Sequence, residues 1–153
     1  MSVCFSKGLG APVGSCLAGS RARIEEAHRL RKMLGAGMRQ TGILAAGALH
    51  ALDHHLERLA DDHANAASFA RTLGSLGARV RATVQPPETN VVVVDVPPDA
   101  TERAIAAAAE RGLLIGSIAR GRLRAVFHLD VDARAAARGA EAMARALEAT
   151  CAA

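Results

Sequence analysis

Apolar and polar positions along this chain follow two periods, and the switches between them lay out its elements. Ser2 to Ser6 reads as a short buried strand entering a glycine-rich loop, and Ser15 to Ala18 as a second strand leaving it. Ile24, Ala27, Leu30, Met33 and Leu34 recur at helical spacing, with Arg21, Arg23, Glu25, Arg29 and Arg31 mostly on the other side. That pattern predicts an amphipathic helix capped by Ser20 and ended by Gly35 and Gly37. From about Met38 to Leu76 helical residues dominate, and Ile43, Leu44, Leu49, Leu52, Leu56, Leu59, Phe69 and Leu73 supply an apolar stripe with a bend expected near Asp53. Gly74 and Gly77 close the segment. Arg79 to Thr83 reads as a short strand before Pro86-Pro87, the best internal boundary.

Beyond the proline pair the pattern is β-α-β-β-α. Asn90 to Val96 is a β-branched strand, Pro98 to Arg111 a helix, Leu113 to Gly116 and Leu123 to His128 strands, and Asp132 to Ala149 a closing alanine-rich helix. Such a unit forms a small α+β layer. The region before it has two strands at its start and then only helices, so those strands need partners that the chain does not visibly supply, and the first residue is expected to fall inside a larger domain.

Composition limits the function classes. The 153 residues suit about one domain. Half of them are hydrophobic, yet with no Trp, no Tyr and three Phe the core must be built from Ala, Leu, Val and Ile, which bury less area each. The net charge of +4 comes from scattered arginines, and no basic run is interleaved with aromatics, so nucleic-acid binding is not expected. Cys4, Cys16 and Cys151 are odd in number and lack metal-ligand spacing, which fits thiols in a reducing cytoplasm. Nothing resembles a signal peptide or a long apolar span, so the reading is a soluble cytoplasmic chain without membrane attachment. His50 and His54 stand i, i+4 on a helix with His55 and His63 nearby, but no carboxylate or cysteine completes a metal set, and Asp53 points about a quarter turn away.

The chemistry-bearing candidate is Lys7, one of two lysines, the other being Lys32. It sits in Ser6-Lys7-Gly8-Leu9-Gly10, at a strand end followed by glycines that let backbone and cofactor approach closely. A Schiff-base enzyme needs its nucleophile in such a place, which makes pyridoxal 5'-phosphate the first cofactor to consider.

Four segments, taken in order, resemble the L-threonine aldolases: Cys4-Phe5-Ser6-Lys7-Gly8-Leu9-Gly10-Ala11-Pro12-Val13-Gly14-Ser15, Arg31-Lys32-Met33-Leu34-Gly35-Ala36-Gly37-Met38-Arg39-Gln40, Asp62-His63-Ala64-Asn65-Ala66, and Arg124-Ala125-Val126-Phe127-His128-Leu129-Asp130-Val131. The resemblance runs over the whole chain. It implies the α/β fold of pyridoxal-phosphate-dependent transferases, aspartate-aminotransferase-like or fold type I, of which this chain would be the carboxyl-terminal portion. Residues 1–84 would then be the end of the cofactor-binding large domain with its interdomain helices, and residues 85–153 the small α+β domain.

By the same resemblance Lys7 is the lysine that carries the cofactor as a Schiff base, and Arg124 the clamp for the substrate carboxylate, a task suited to the planar guanidinium fork. Arg122, two residues away on the same face, competes with Arg124 for that role on spacing alone. Lys32 and Arg39 are candidate cofactor-phosphate contacts or subunit-interface charges. His63 and His128 read as histidines that hydrogen-bond within the fold.

The implied reaction is retro-aldol cleavage of L-threonine or L-allo-threonine to glycine and acetaldehyde. The family's phosphate loop, its ring-stacking histidine and its Asp-Gly-Ala-Arg segment precede the lysine, and here only six residues do. The chain alone is therefore expected to be inactive or nearly so, working as a homodimer, a homotetramer or with a complementing amino-terminal half. The alternatives are a non-catalytic remnant or interaction protein of the same fold, or a neighbouring activity such as β-elimination or racemisation. Exposed strand edges and unburied aliphatic surface would favour aggregation of an isolated piece.

Overall fold

The two periodicities become six strands and five helices in a computed structural model that describes residues 1–153. The chain divides into two compact units, Met1–Arg58 and Leu59–Ala153.

The first unit opens with β1 (Ser2–Cys4) and β2 (Ser15–Leu17), which pair antiparallel in the register Ser2 with Leu17, Val3 with Cys16 and Cys4 with Ser15. No third strand joins them. Helix α1 (Arg21–Met33) begins at Ser20 in extended backbone, but the Ser20 side chain makes no capping bond, contrary to the role expected for it. The helix ends in a Schellman arrangement, the amides of Gly35 and Ala36 donating to the carbonyls of Lys32 and Arg31 at 3.0 and 2.9 Å. Helix α2 (Gly42–His55) follows.

Neither α1 nor α2 buries its apolar stripe. No residue of α1 is buried, Ala51 alone is buried in α2, and Ile43 is 82% exposed. The helical period was legible, but a period says only which side is apolar and not what covers it.

The second unit starts with α3 (Leu59–Gly74), so the bend expected near Asp53 falls at Leu56–Arg58. Strands β3 (Thr83–Val84), β4 (Val91–Asp95), β5 (Gly116–Ala119) and β6 (Arg122–Val126) form an antiparallel sheet in the order β3-β4-β6-β5. Pro86-Pro87 lies in the connection between two strands of this one sheet. Helices α4 (Thr101–Ala109) and α5 (Ala133–Thr150) pack with α3 over one face of it.

Two expected strands moved. The 3-10 turn at Gly77–Arg79 takes up the first residue of the predicted Arg79–Thr83 segment, Val80 makes only an isolated bridge to Ala152, and the strand itself is Thr83–Val84. The strand predicted at Leu113–Gly116 pairs instead at Gly116–Ala119, because a tight Arg120-Gly121 turn sets the register with Arg122 opposite Ala119. That turn needs glycine: Gly121 has φ +82°, and a Cβ there would lie 3.1 Å from the Val96 carbonyl oxygen.

The core is aliphatic as composition requires. Val92, Val94, Leu123, Met143 and Leu147 are fully buried, and Phe69 meets Phe127 edge to face with centroids 5.4 Å apart. Asp132 caps α5, its Oδ1 accepting from the Ala135 amide at 2.6 Å. No helix is long and apolar enough to cross a membrane.

On the sheet surface Gln85 Nε2 and Arg122 Nε donate to the two carboxylate oxygens of Asp95 at 2.8 and 2.9 Å. These bonds, Gln85's first, hold the Asp95 carboxyl below the usual carboxylate range. The unfolded state therefore binds more protons where the two forms differ, so the contribution of Asp95 is present above about pH 4 and is lost as pH falls through its folded value. Asp95→Asn is expected to flatten the acid limb of stability measured by urea melts followed by circular dichroism. A limb parallel to that of the unaltered chain would remove Asp95 from the account.

Candidate active site

Lys7 stands at the head of a tight turn inside the β1–β2 hairpin. Its carbonyl accepts from the Gly10 amide at 2.8 Å, and Gly10 closes the turn at φ +71°, a conformation glycine adopts without strain. Ladder-like bonds continue below, from Ala11 to the Phe5 carbonyl at 2.9 Å and from Phe5 to the Gly14 carbonyl at 3.0 Å. Leu9 and Ala11 are buried while Lys7 is exposed. The loop is thus backbone-braced, with the amine outside it and bound to no protein group. Its far side meets α2: His55 Nδ1 lies 2.7 Å from the Leu9 carbonyl oxygen.

Lys32 and Arg39 come together. With His28, Arg31, Gly37 and Met38 they line a cavity of about 330 Å³ that contains no carboxylate. Arg31 and Lys32 occupy the last turn of α1, where the helix dipole favours cations. The Lys32 Nζ lies against Gly37, 3.5 Å from where a Cβ would stand. Gln40, next to Arg39, holds φ +51°, uncommon for a residue with a side chain. The arrangement can attract and hold an anion.

In the second unit the structure separates the two competing arginines. Arg122 is engaged by Asp95, whereas Arg124 makes no hydrogen bond or ion pair and lines a cavity of about 350 Å³ with Leu113, Ser117, Phe127 and His128. A guanidinium free of carboxylates beside a partly apolar cavity is equipped for a ligand carboxylate. Lys7 and Arg124 lie in different units.

His128 Nδ1 accepts from the Asp130 amide at 3.4 Å. His63, expected to bond within the fold, is exposed and makes no such bond; the polar groups buried in its segment are Asp62 and Asn65, the latter donating to the Val131 carbonyl at 3.1 Å. His63 is at a position of α3 that turns away from the core, which motif position alone did not reveal. The His50 and His54 rings lie tilted at 49° with centroids 4.3 Å apart, and no group of three or more His, Cys, Asp or Glu is placed to hold a metal ion.

The fold is shared with known enzymes. A Listeria monocytogenes protein assigned as an L-allo-threonine aldolase superposes with a TM-score of 0.73 at 19% identity, over 97% of this chain and 44% of that one. A thermostable omega transaminase of Pseudomonas jessenii gives 0.57 at 19% identity, over 83% and 32%. This is part of the α/β fold common to such aldolases and transaminases. In sequence, the pattern of the beta-eliminating lyases matches residues 1–98, and the chain belongs to that family. It is 45% identical over 135 residues to the low-specificity L-threonine aldolase of Escherichia coli K12. That match takes in 86% of this chain, which spans 38% of the length of the relative.

Proposed function

We propose that residues 1–153 provide the lysine- and arginine-bearing part of a pyridoxal 5'-phosphate-dependent L-threonine aldolase, which cleaves L-threonine or L-allo-threonine to glycine and acetaldehyde. The observation that carries this reading is the 45% identity, over 86% of the chain, to a relative named for that activity. The side chains suit the cofactor: an unengaged Lys7 amine for covalent attachment, and a carboxylate-free cationic cavity in which Lys32 and Arg39 would hold a phosphate.

When bound, the cofactor supplies the sink for the electron pair released as the Cα–Cβ bond breaks. Arg124 would bind the substrate carboxylate through two parallel hydrogen bonds and so fix the amino acid for cleavage. The β-hydroxyl must lose its proton in that step, and no residue of this chain is assigned as the base. Met1–Arg58 would belong to the large domain, and the small domain expected over 85–153 would lie within the compact unit Leu59–Ala153, whose sheet takes in Thr83–Val84. The uncovered stripes of α1 and α2 fit burial against a second copy or a complementing amino-terminal half.

The test is a chimera in which this chain replaces the matching portion of the E. coli relative. With pyridoxal phosphate it is expected to release acetaldehyde and glycine from L-threonine, while residues 1–153 alone release none. A folded, cofactor-loaded chimera without turnover would overturn the reading. The family's description favours keeping β-elimination as a second activity, which would show instead as keto acid and ammonia from a substrate with a leaving group on Cβ.

A further inference from the structure

Helix α2 carries three residues spaced by four that address the Lys7 loop. Gly47, Ala51 and His55 lie on one face. At one end of this row the loop comes so close that a Cβ on Gly47 would sit 3.0 Å from Pro12 Cδ. In the middle Ala51 is 1% exposed, and at the other end His55 Nδ1 meets the Leu9 carbonyl oxygen at 2.7 Å. The two contacts fall on Leu9, inside the turn that starts at Lys7, and on Pro12, just after it.

A carbonyl oxygen can only accept, so His55 must carry its proton on Nδ1. A neutral imidazole is not bound to do so; here the tautomer follows from the partner. The His50 ring stands perpendicular to the His55 ring with centroids 5.4 Å apart, which confines its rotation. The bond crosses 46 residues, and it reaches the turn from outside, where the hairpin's own bonds do not act.

We propose that His55, as its Nδ1–H tautomer, is the positioning residue that clamps the Lys7 turn onto α2 and thereby sets the presentation of the Lys7 amine to a carbonyl compound. It does not touch the reacting atoms. The consequence for Lys7 rests on the reading of Lys7 as the cofactor-binding lysine; the clamp itself does not.

Two measurements on the full chain test it. Long-range proton–nitrogen correlation of the His55 ring is expected to show the proton on Nδ1, and a predominant Nε2–H form would overturn the clamp. Brief exposure to pyridoxal 5'-phosphate, borohydride reduction and peptide mass mapping then gives the ratio of the Lys7 adduct to that on the terminal amine, the internal control, because Lys32 lines the proposed phosphate cavity. His55→Leu, which keeps bulk and removes the donor, is expected to lower that ratio about fivefold or more. His55→Asn, whose amide offers a donor near the Nδ1 position, is expected to restore it to within about twofold. If both variants behave alike, or the ratio stays put in His55→Leu, positioning by a hydrogen bond is wrong. If Lys7 shows no preference over the terminal amine in the unaltered chain, the reading of Lys7 fails, and the tautomer still decides the clamp.

Discussion

Lys7→Ala will leave the chain without its preferred point of attachment for pyridoxal 5'-phosphate, and the aldolase chimera bearing it will lose threonine cleavage by about a thousandfold or more. The chain has only one other lysine, so borohydride-fixed adduct can survive only at Lys32 or the terminal amine, at background level. The size of the loss follows from what is removed. The amine is the one nucleophile in a turn otherwise made of backbone bonds and small or apolar side chains, and no neighbour can take its place. Lys7→Arg separates charge from nucleophilicity: it keeps the cation and is expected to be as inactive as the alanine variant, since guanidinium stays protonated. Retention of more than about a tenth of the activity in either variant would show that Lys7 is not the attachment point.

Arg124→Ala in the same chimera is expected to raise KM for L-threonine by about 30-fold to several hundredfold, with kcat affected less. Truncating one partner of a desolvated charge pair costs about 2–5 kcal/mol, and the figure here belongs near the lower end because the Arg124 cavity is open. Arg124→Lys retains the charge without the fork and should recover only part of the affinity. Arg122→Ala is the control. It releases Asp95 and touches stability, leaving KM within about twofold. Equal KM values for the Arg122 and Arg124 variants would remove Arg124 from substrate binding.

Much of the second unit could be read from the chain. The β-branched run Val91–Val94, the Asp132 cap and the alanine-rich final helix each couple a local preference to the observed element. Exact strand limits could not, because pairing at Gly116–Ala119 is dictated by the turn at Gly121 rather than by propensity in the strand. For the first unit, helix positions were legible but burial was not, since no period reports what lies opposite. At the sites, Lys7 stood out by its glycines and rarity. The choice between Arg122 and Arg124 needed the carboxylate of Asp95, which only cross-strand register supplies. His55 stands in a histidine cluster whose spacing points to metal chemistry, and in the sequence only the row Gly47, Ala51, His55 hints at its contact with the Leu9 carbonyl.

That register gives an otherwise ordinary valine a deciding part. Strand β4 sets Asp95 opposite Arg122 and Val93 opposite Arg124, so two arginines on one face of one strand meet different neighbours. Were position 93 an aspartate, Arg124 would find across the strand what Arg122 already has, and its guanidinium would turn from an unengaged group into a piece of the scaffold. If Arg124 binds the substrate carboxylate as proposed, Val93 contributes to recognition by offering nothing polar. A side chain with no charge of its own thus keeps a charge available, and evolutionary loss of ligand binding on this sheet could come from a gain of stabilising contact rather than from damage to the arginine itself.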